Sequence, residues 1–224
     1  MNRMNGCHDS QADSYDKQVL ADPGDYIREN YFGILDRVAE LIPVGRSLRI
    51  LDIGIGTGLL TERMPQKMDL YGIDISPKMM DKIREKGLPV QLKVGSFLDI
   101  PFPDSHFDRI VSTFAFHHLT PEEKEKAYAE MHRVLKPDGF IIIGDFMFES
   151  EAQADRLSQR FRSEGRTDML EEFEEECFTY IDSATASLSR LGYNVCYERG
   201  STLSWIIRAT STNSQKHDGR GDRT

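Results

Sequence analysis

The sequence is poor in cysteine, and it has neither a long apolar run nor an excess of basic residues. Its three cysteines, Cys7, Cys177 and Cys196, form no metal-like pair, and none of the apolar stretches is long enough to cross a bilayer. The polar first residues also lack the apolar stretch of a secretion signal. We therefore expect reduced thiols and a cytoplasmic protein with no membrane partner.

Charge and size narrow the class of protein further. Acidic side chains outnumber basic ones by 37 to 28, which gives a formal net charge of -9. A protein that follows a phosphate backbone usually presents a basic face, so nucleic acid is a disfavoured partner. The chain has 224 residues, 39% of them hydrophobic. This length and composition predict one domain with a buried core and some additions.

Short apolar runs alternate with helical patterns along the chain. Five runs are predicted to be strands, at residues 48–53, 70–75, 90–94, 107–112 and 140–145, and the first two have the pattern of buried strands. Such alternation is typical of an α/β fold with a doubly wound, mostly parallel, Rossmann-like sheet. Two later runs, at residues 195–199 and 203–209, are close enough to pair as an antiparallel hairpin. The sheet is therefore predicted to contain seven strands.

Local signals predict where several elements begin and end. A helical pattern begins at Asp25, while Ser76 and Thr120 each precede a proline and are expected to cap helices. The KPDG sequence at residues 136–139 is predicted to be a turn before the fifth strand.

Three segments depart from the alternation. Residues 1–24 are polar and broken by glycine and proline, so we expect a mobile N-terminal arm. Residues 146–180 are charged and helical, which indicates a helical insertion that forms a lid. Residues 210–224 contain no large apolar side chain and are predicted to be a disordered tail. The folded domain is expected to span residues 25–209.

The sequence LDIGIGTG at residues 51–58 lies between a predicted strand and a helix, where open parallel sheets bind their ligands. A dinucleotide site would need Gly-x-Gly-x-x-Gly. Here the residue at that last position is Leu59 counted from Gly54, or Thr61 counted from Gly56. Asp52 also precedes the glycines, where it would repel a pyrophosphate but could receive an ammonium group. The turn therefore favours a zwitterionic, cationic ligand such as S-adenosylmethionine (SAM).

A second acidic residue, Asp74, ends the second predicted strand. A carboxylate at this place can accept hydrogen bonds from both hydroxyls of a ribose. Dinucleotide-binding folds use the same device, so Asp74 alone does not distinguish the two cofactors.

Together these motifs resemble the class I SAM-dependent methyltransferases of the small-molecule branch. The stretches SPKMM, STFAFHHL and LKPDGF also resemble the family, and the likeness extends from Tyr15 to Ala209. A further similarity, in the sequence AFHHLT-EEK and in Trp205, is to a small group of bacterial methyltransferases associated with methionine-to-cysteine salvage. One departure is Ser96, because many relatives have an aspartate there that accepts the adenine amino group.

The resemblance implies a cofactor site without a metal. Tyr15 would cover the methionine end, Asp74 would bind the ribose, and Ser112 would end the strand beside the cofactor turn. The implied cofactor-binding residues are Tyr15, Asp52, Gly54, Gly56, Thr57, Asp74, Ile75, Met79, Ser96, Phe97 and Ser112.

His117 and His118 follow the fourth predicted strand, at the rim where an acceptor would enter. Imidazole accepts protons near neutral pH, so we hypothesise that one of them is a general base. The segment after the strand lacks the Asn/Asp-Pro-Pro-aromatic motif used on planar amino groups, and the chain has no Pro-Cys dipeptide. A small thiol, amine, hydroxyl, carboxylate or activated carbon acceptor remains.

Two alternatives to methyl transfer stay open on the sequence. The chain could be a SAM-binding sensor or partner protein without catalytic activity. It could also be an NAD-dependent oxidoreductase on a similar sheet, although the glycine spacing argues against that. The oligomeric state does not follow from the sequence.

Overall fold

The computed structural model describes residues 12, 15–20, 26, 29–43, 48–65 and 68–212. Most of the predicted arm and the tail from residue 213 lie outside these ranges, so their mobility stays a prediction. Within the described part of the chain, no helix is both long and apolar enough to cross a membrane.

Eight strands and seven α-helices occur in the described ranges. The strands are β1 (Arg49–Ile53), β2 (Asp69–Asp74), β3 (Val90–Val94), β4 (Phe107–Thr113), β5 (Leu135–Phe148), β6 (Thr179–Tyr180), β7 (Tyr193–Arg199) and β8 (Ser204–Ser211). The helices are α1 (Tyr15–Leu20), α2 (Tyr31–Glu40), α3 (Pro77–Glu85), α4 (Pro121–Val134), α5 (Glu151–Glu164), α6 (Thr167–Glu175) and α7 (Ile181–Arg190).

The strands form one mixed sheet in the order β3-β2-β1-β4-β5-β8-β7, with β6 paired to β5 outside this path. The first five strands on the path are parallel, whereas β8 runs antiparallel to both β5 and β7. The predicted doubly wound fold with a C-terminal hairpin is confirmed. The chain passes from β1 to β2 and β3 on one side of β1 and then crosses to β4 on the other side of β1. The carboxyl end of β1 is therefore a topological switch point, the place where open parallel sheets bind ligands.

Side chains on β1 alternate between two apolar layers. Leu51 and Ile53 pack on one side of the sheet with residues of α4 and α7, whereas Ile50 packs on the other with residues of α2, α5 and α6. Each layer excludes water from one face, so the sheet is held rigidly between helices. This rigidity fixes the strand ends that carry the site.

Two helix starts use the predicted caps. The Ser76 hydroxyl accepts a hydrogen bond from the Met79 N–H at the start of α3. At the start of α4, Thr120 accepts from the Glu123 N–H while the Glu123 side chain accepts from the Thr120 N–H. Both caps follow buried strands and fix the direction in which the chain leaves the sheet.

Several elements differ from the sequence-based expectation. Helix α2 begins at Tyr31 rather than Asp25, because Asn30 adopts a left-handed conformation with φ 58°. Strand β5 already starts at Leu135, so the KPDG segment lies within its bounds, but its four residues are unpaired because the register shifts between Phe107 and Arg109. The two-residue strand β6 was not predicted, and β8 continues to Ser211.

We predict that Thr120→Ala lowers the free energy of unfolding by about 1 kcal/mol, because the Glu123 N–H loses its acceptor. Chemical denaturation measures the loss. Thr120→Ser is the matched control, since it keeps the hydroxyl, and it should stay close to the parent. Equal stability of the alanine variant and the parent would show that the cap does not stabilise α4.

Candidate active site

The turn after β1 brings the backbone close to the segment that follows β4. Gly54 has a φ of 70°, and a Cβ built on it would lie 2.5 Å from the Cβ of Ala115. The N–H groups of Gly54 and Ile55 both donate to the Ile73 carbonyl, which fixes the turn against β2. Glycine is required at position 54 because a side chain would clash and would strain the backbone.

Gly56 lies at the open side of the same turn. Its φ is 55°, and a Cβ built there would meet no atom of the described residues within 4 Å. Its N–H donates to Oδ2 of Asp74 over 2.9 Å, and the Ser76 N–H donates to Oδ1 over 2.8 Å. The Asp74 carboxylate is therefore held at the rim of an open space lined by the glycine turn.

Asp52 is buried directly beneath this turn. Neither carboxylate oxygen has a hydrogen-bond partner among the described residues. Burial, and then the negative charge of Asp74, raise the pKa of Asp52 to about 8. A buried carboxylate without a partner is costly unless a neighbouring group donates hydrogen bonds to it or brings a positive charge.

Helix α1 is fastened to the glycine turn by polar contacts that the sequence did not predict. The Thr57 hydroxyl donates to Oδ1 of Asp16 over 2.6 Å. The Lys86 ammonium donates to the Thr57 carbonyl over 3.0 Å and pairs with Oδ2 of Asp16 over 2.8 Å. These contacts place the neighbouring Tyr15 beside the site.

Tyr15 joins the cofactor turn to the segment after β4. Its hydroxyl lies 3.2 Å from that of Tyr31, whose ring stacks on Phe114 with a centroid distance of 4.1 Å. Burial raises the pKa of Tyr15, and the charges of Asp145, Asp16 and Asp74 add to the rise against the opposing hydrogen bond with Tyr31. Tyr15 is thus close to the carboxylates of both halves of the site.

The remaining predicted cofactor residues lie on or after β2, β3 and β4. Met79 and Phe97 are buried, and Ile75 and Ser96 are partly buried. The Phe97 ring comes within 3.8 Å of a Cβ built on Gly54, so it borders the glycine turn. Ser112 is fully buried, and its hydroxyl has no partner within the described ranges.

His117 is held by a carboxylate that sequence reasoning missed. Its Nδ1 lies 2.5 Å from Oδ1 of Asp145, which is fully buried at the carboxyl end of β5. The other oxygen, Oδ2, accepts from the N–H groups of Ala115, Phe116 and His117. One carboxylate therefore orders both the imidazole and the backbone beside Gly54. The only hint in the sequence is an acid at the end of a predicted strand.

The interaction between His117 and Asp145 favours a protonated imidazole and an ionised carboxylate. Burial alone would lower the pKa of His117, but the charge and the hydrogen bond of Asp145 outweigh it, so the pKa is raised. The pKa of Asp145 is lowered, because His117 and the backbone N–H groups outweigh the effect of its own burial. His117 is therefore a stronger base than an ordinary histidine.

His118 has its own carboxylate partner. Its Nδ1 lies 2.9 Å from Oε2 of Glu176, the residue that follows α6. The two imidazole rings are 4.0 Å apart. The structure therefore brings both predicted histidines together with two carboxylates from distant parts of the chain.

Comparison with known proteins identifies the fold family. A family model described as "Methyltransferase domain" matches residues 50–139. An uncharacterized methyltransferase of Alkaliphilus oremlandii is 34% identical over 92% of this chain and 97% of its own length. One from Geobacillus sp. strain WCH70 is 34% identical over 91% of this chain and 96% of its own length.

Solved structures share the fold. Magnesium protoporphyrin IX methyltransferase from Synechocystis PCC 6803, with bound SAH, has a TM-score of 0.72 at 16% identity, covering 93% of this chain and 98% of its own. A SAM-dependent methyltransferase from Thermotoga maritima has a TM-score of 0.66 at 20% identity, covering 94% and 100%.

These likenesses leave no support for an NAD-dependent oxidoreductase, since the matching family model and the curated relatives named here are methyltransferases. The chain belongs to the class I SAM-dependent methyltransferase family.

Proposed function

We propose that this protein transfers a methyl group from SAM to a small-molecule acceptor, with the cofactor at the end of β1 and the acceptor beside His117. The observation that carries the proposal is the buried Asp52 carboxylate, whose oxygens have no partner within the described ranges. The ammonium group of SAM supplies the cation that such a carboxylate requires, directly or through a water molecule.

The other residues of the turn fit the rest of the cofactor. The Asp74 oxygens accept backbone hydrogen bonds from Gly56 and Ser76, and a carboxylate of this kind is a suitable acceptor for a ribose hydroxyl. The open space beside Gly56 leaves room for the ligand, while Ile75, Met79 and Phe97 offer apolar surface to an adenine ring. When bound, SAM supplies a sulfonium methyl group that an acceptor displaces in line.

The acceptor side favours a small molecule. His117 packs against Phe146 and Phe178 with centroid distances of 4.9 and 6.4 Å, so aromatic rings border part of the acceptor side. Tyr15 and the segment after α6 also border this region. The net charge of -9 further supports a small acceptor rather than nucleic acid, and the cysteine content supports a cytoplasmic enzyme. The link to methionine-to-cysteine salvage stays a prediction.

The His117–Asp145 pair supports general-base catalysis. Because Asp145 holds Nδ1, the proton-accepting nitrogen of His117 is Nε2. A protonated thiol or amine acceptor would lose its proton to Nε2 as its heteroatom attacks, and the Asp145 charge would stabilise the resulting imidazolium. Burial of the pair excludes water and strengthens this interaction.

The function itself is tested by an acceptor screen. Purified protein is incubated with SAM and panels of thiols, amines, hydroxyls and carboxylates, and release of S-adenosylhomocysteine is measured. We expect turnover with at least one class. Tight SAM binding without turnover on any acceptor would contradict catalysis and would favour a SAM-binding sensor or partner protein.

We predict that Gly56→Ala abolishes measurable SAM binding by calorimetry while the domain still folds, because the new Cβ enters the open space assigned to the ligand. The matched control is Gly87→Ala at the end of α3, where φ is 67° and a Cβ also meets no described atom. Each variant should lose roughly 1–2 kcal/mol of stability from left-handed strain. Normal SAM binding by Gly56→Ala would remove the turn from the cofactor site.

We also predict that His117→Asn lowers turnover by about 10²-fold and leaves SAM affinity nearly unchanged. The base acts only when deprotonated, so the rate of the parent should rise with pH. Because the pKa of His117 is raised, the midpoint should lie above the ordinary histidine value of about 6.5. Rates are measured with a chelator present, so that no bound metal ion contributes to the pH dependence.

The matched control for this experiment is His132→Asn, which removes a histidine bonded to the Tyr193 hydroxyl elsewhere in the fold. Its pH profile should match that of the parent. A flat profile for the parent, or near-normal turnover of His117→Asn, would show that the acceptor reacts without this base.

A further inference from the structure

His117, His118 and Glu176 form a compact cluster of metal-ligating side chains. One ring nitrogen of each histidine and one carboxylate oxygen of Glu176 all lie within 4.8 Å of one another. The sequence predicted no metal site, because Glu176 is distant in the chain and gives no local signal. None of the three residues belongs to the predicted SAM-binding set.

The two segments that carry the cluster are tied together by main-chain contacts. The Cys177 N–H donates to the His117 carbonyl over 3.1 Å. The buried Lys124 ammonium donates to the carbonyls of both Leu119 and Cys177, and so bridges the same two segments. The two main-chain segments that carry the three side chains are thus held together by contacts that do not involve those side chains, as a preorganised site requires.

The charges around the cluster favour a cation. With neutral imidazoles, the carboxylates of Asp145 and Glu176 carry two negative charges, and Lys124 is the positive group that acts on His117. The partly buried Glu176 carboxylate already lies 2.9 Å from Nδ1 of His118, and carboxylate oxygens are common ligands of divalent transition metals.

We propose that His117, His118 and Glu176 bind one divalent transition-metal ion of the zinc class. Imidazole and carboxylate donors suit Zn²⁺ and its neighbours in the first transition row. A tetrahedral zinc ion holds its donor atoms roughly 3.4 Å apart. Side-chain rotations that move the donor atoms by about an ångström would therefore complete the site. Because Asp145 is hydrogen-bonded to Nδ1 of His117, Nε2 is the nitrogen that would bind the ion. Asp145 would then be the carboxylate that orients the imidazole, as metal-bound histidines commonly have.

Metal binding by these residues does not depend on the proposed function, but a role of the metal in catalysis rests on it. Three protein ligands leave a zinc-class ion with an open position. A thiol acceptor bound there would lose its S–H proton to solvent water and form a metal–sulfur bond as the thiolate. In the metal-loaded protein the ion would thus lower the pKa of the bound thiol, and solvent water instead of His117 would receive the proton.

The test is a competition titration of the full chain, without an added histidine tag, after metal removal with a chelator. Zn²⁺ and Co²⁺ are titrated against a chromophoric chelator. We expect one equivalent per chain with a dissociation constant of about micromolar or lower. His118→Asn and Glu176→Gln should each weaken binding by more than about 100-fold, the upper range for loss of an outer-shell partner.

Glu175→Gln and His132→Asn are the matched controls. Glu175 is the exposed neighbour of Glu176, and His132 lies in α4 with its ring bonded to Tyr193. Both should bind zinc like the parent, and thermal unfolding checks that all four variants fold. Co²⁺ absorption gives a second readout, because its visible bands should weaken in His118→Asn and Glu176→Gln alone.

The proposal is overturned if the parent binds no stoichiometric ion, or if the controls lose affinity as much as the ligand variants. The carboxylates would then serve only as hydrogen-bond partners of the histidines. Calorimetry with SAM separates the two hypotheses. Normal SAM binding and turnover without metal binding would defeat the metal site alone, whereas metal binding without methyl transfer would defeat the proposed function alone.

Discussion

The buried carboxylate of Asp52 is the constraint on which the account of the site depends. Its oxygens have no partner among the described residues. Strand β1 lies inside the sheet, between β2 and β4, and is covered on both faces. The same burial that stabilises the fold raises the pKa of this group to about 8. Burial of a carboxylate without a partner destabilises a protein unless a bound ligand offsets the cost. The buried position of β1 therefore favours a ligand with a positive charge.

A second carboxylate, Asp145, connects the cofactor half of the site to the acceptor half. It lies two strands away from Asp52 in the sheet order, and its hydrogen bonds order the backbone from Ala115 to His117. Ala115 in turn sits against Gly54, where a Cβ would clash. Movement of either half would disturb the other. The two reactants of a methyl transfer need this mutual positioning, because proximity supplies much of the rate.

The cofactor half could be predicted from the sequence, whereas the acceptor half could be predicted only in part. The spacing of Asp52, the glycines and Asp74 is local, since each residue lies at or just after the end of a strand with a clear apolar pattern. Glu176 and Asp16 reach the site through tertiary packing of a charged helix end and of the arm, which no local pattern encodes. The KPDG segment has a turn-like composition, and its four residues have no paired residue on β4. Nothing in the sequence indicated that Leu135, before this segment, pairs with Phe107 and so belongs to the sheet.

Proton release on ligand binding tests the central role of Asp52 most directly. Calorimetry of S-adenosylhomocysteine binding near pH 7, in buffers of different ionisation enthalpy, counts the protons released. Because the pKa of Asp52 is about 8 in the free protein, most of the carboxyl is protonated at this pH, and an ammonium partner must lower that pKa. We predict that binding releases a proton, that affinity rises with pH between 6 and about 8, and that Asp52→Asn loses both effects. Binding that releases no proton, and that Asp52→Asn leaves unchanged, would contradict the account.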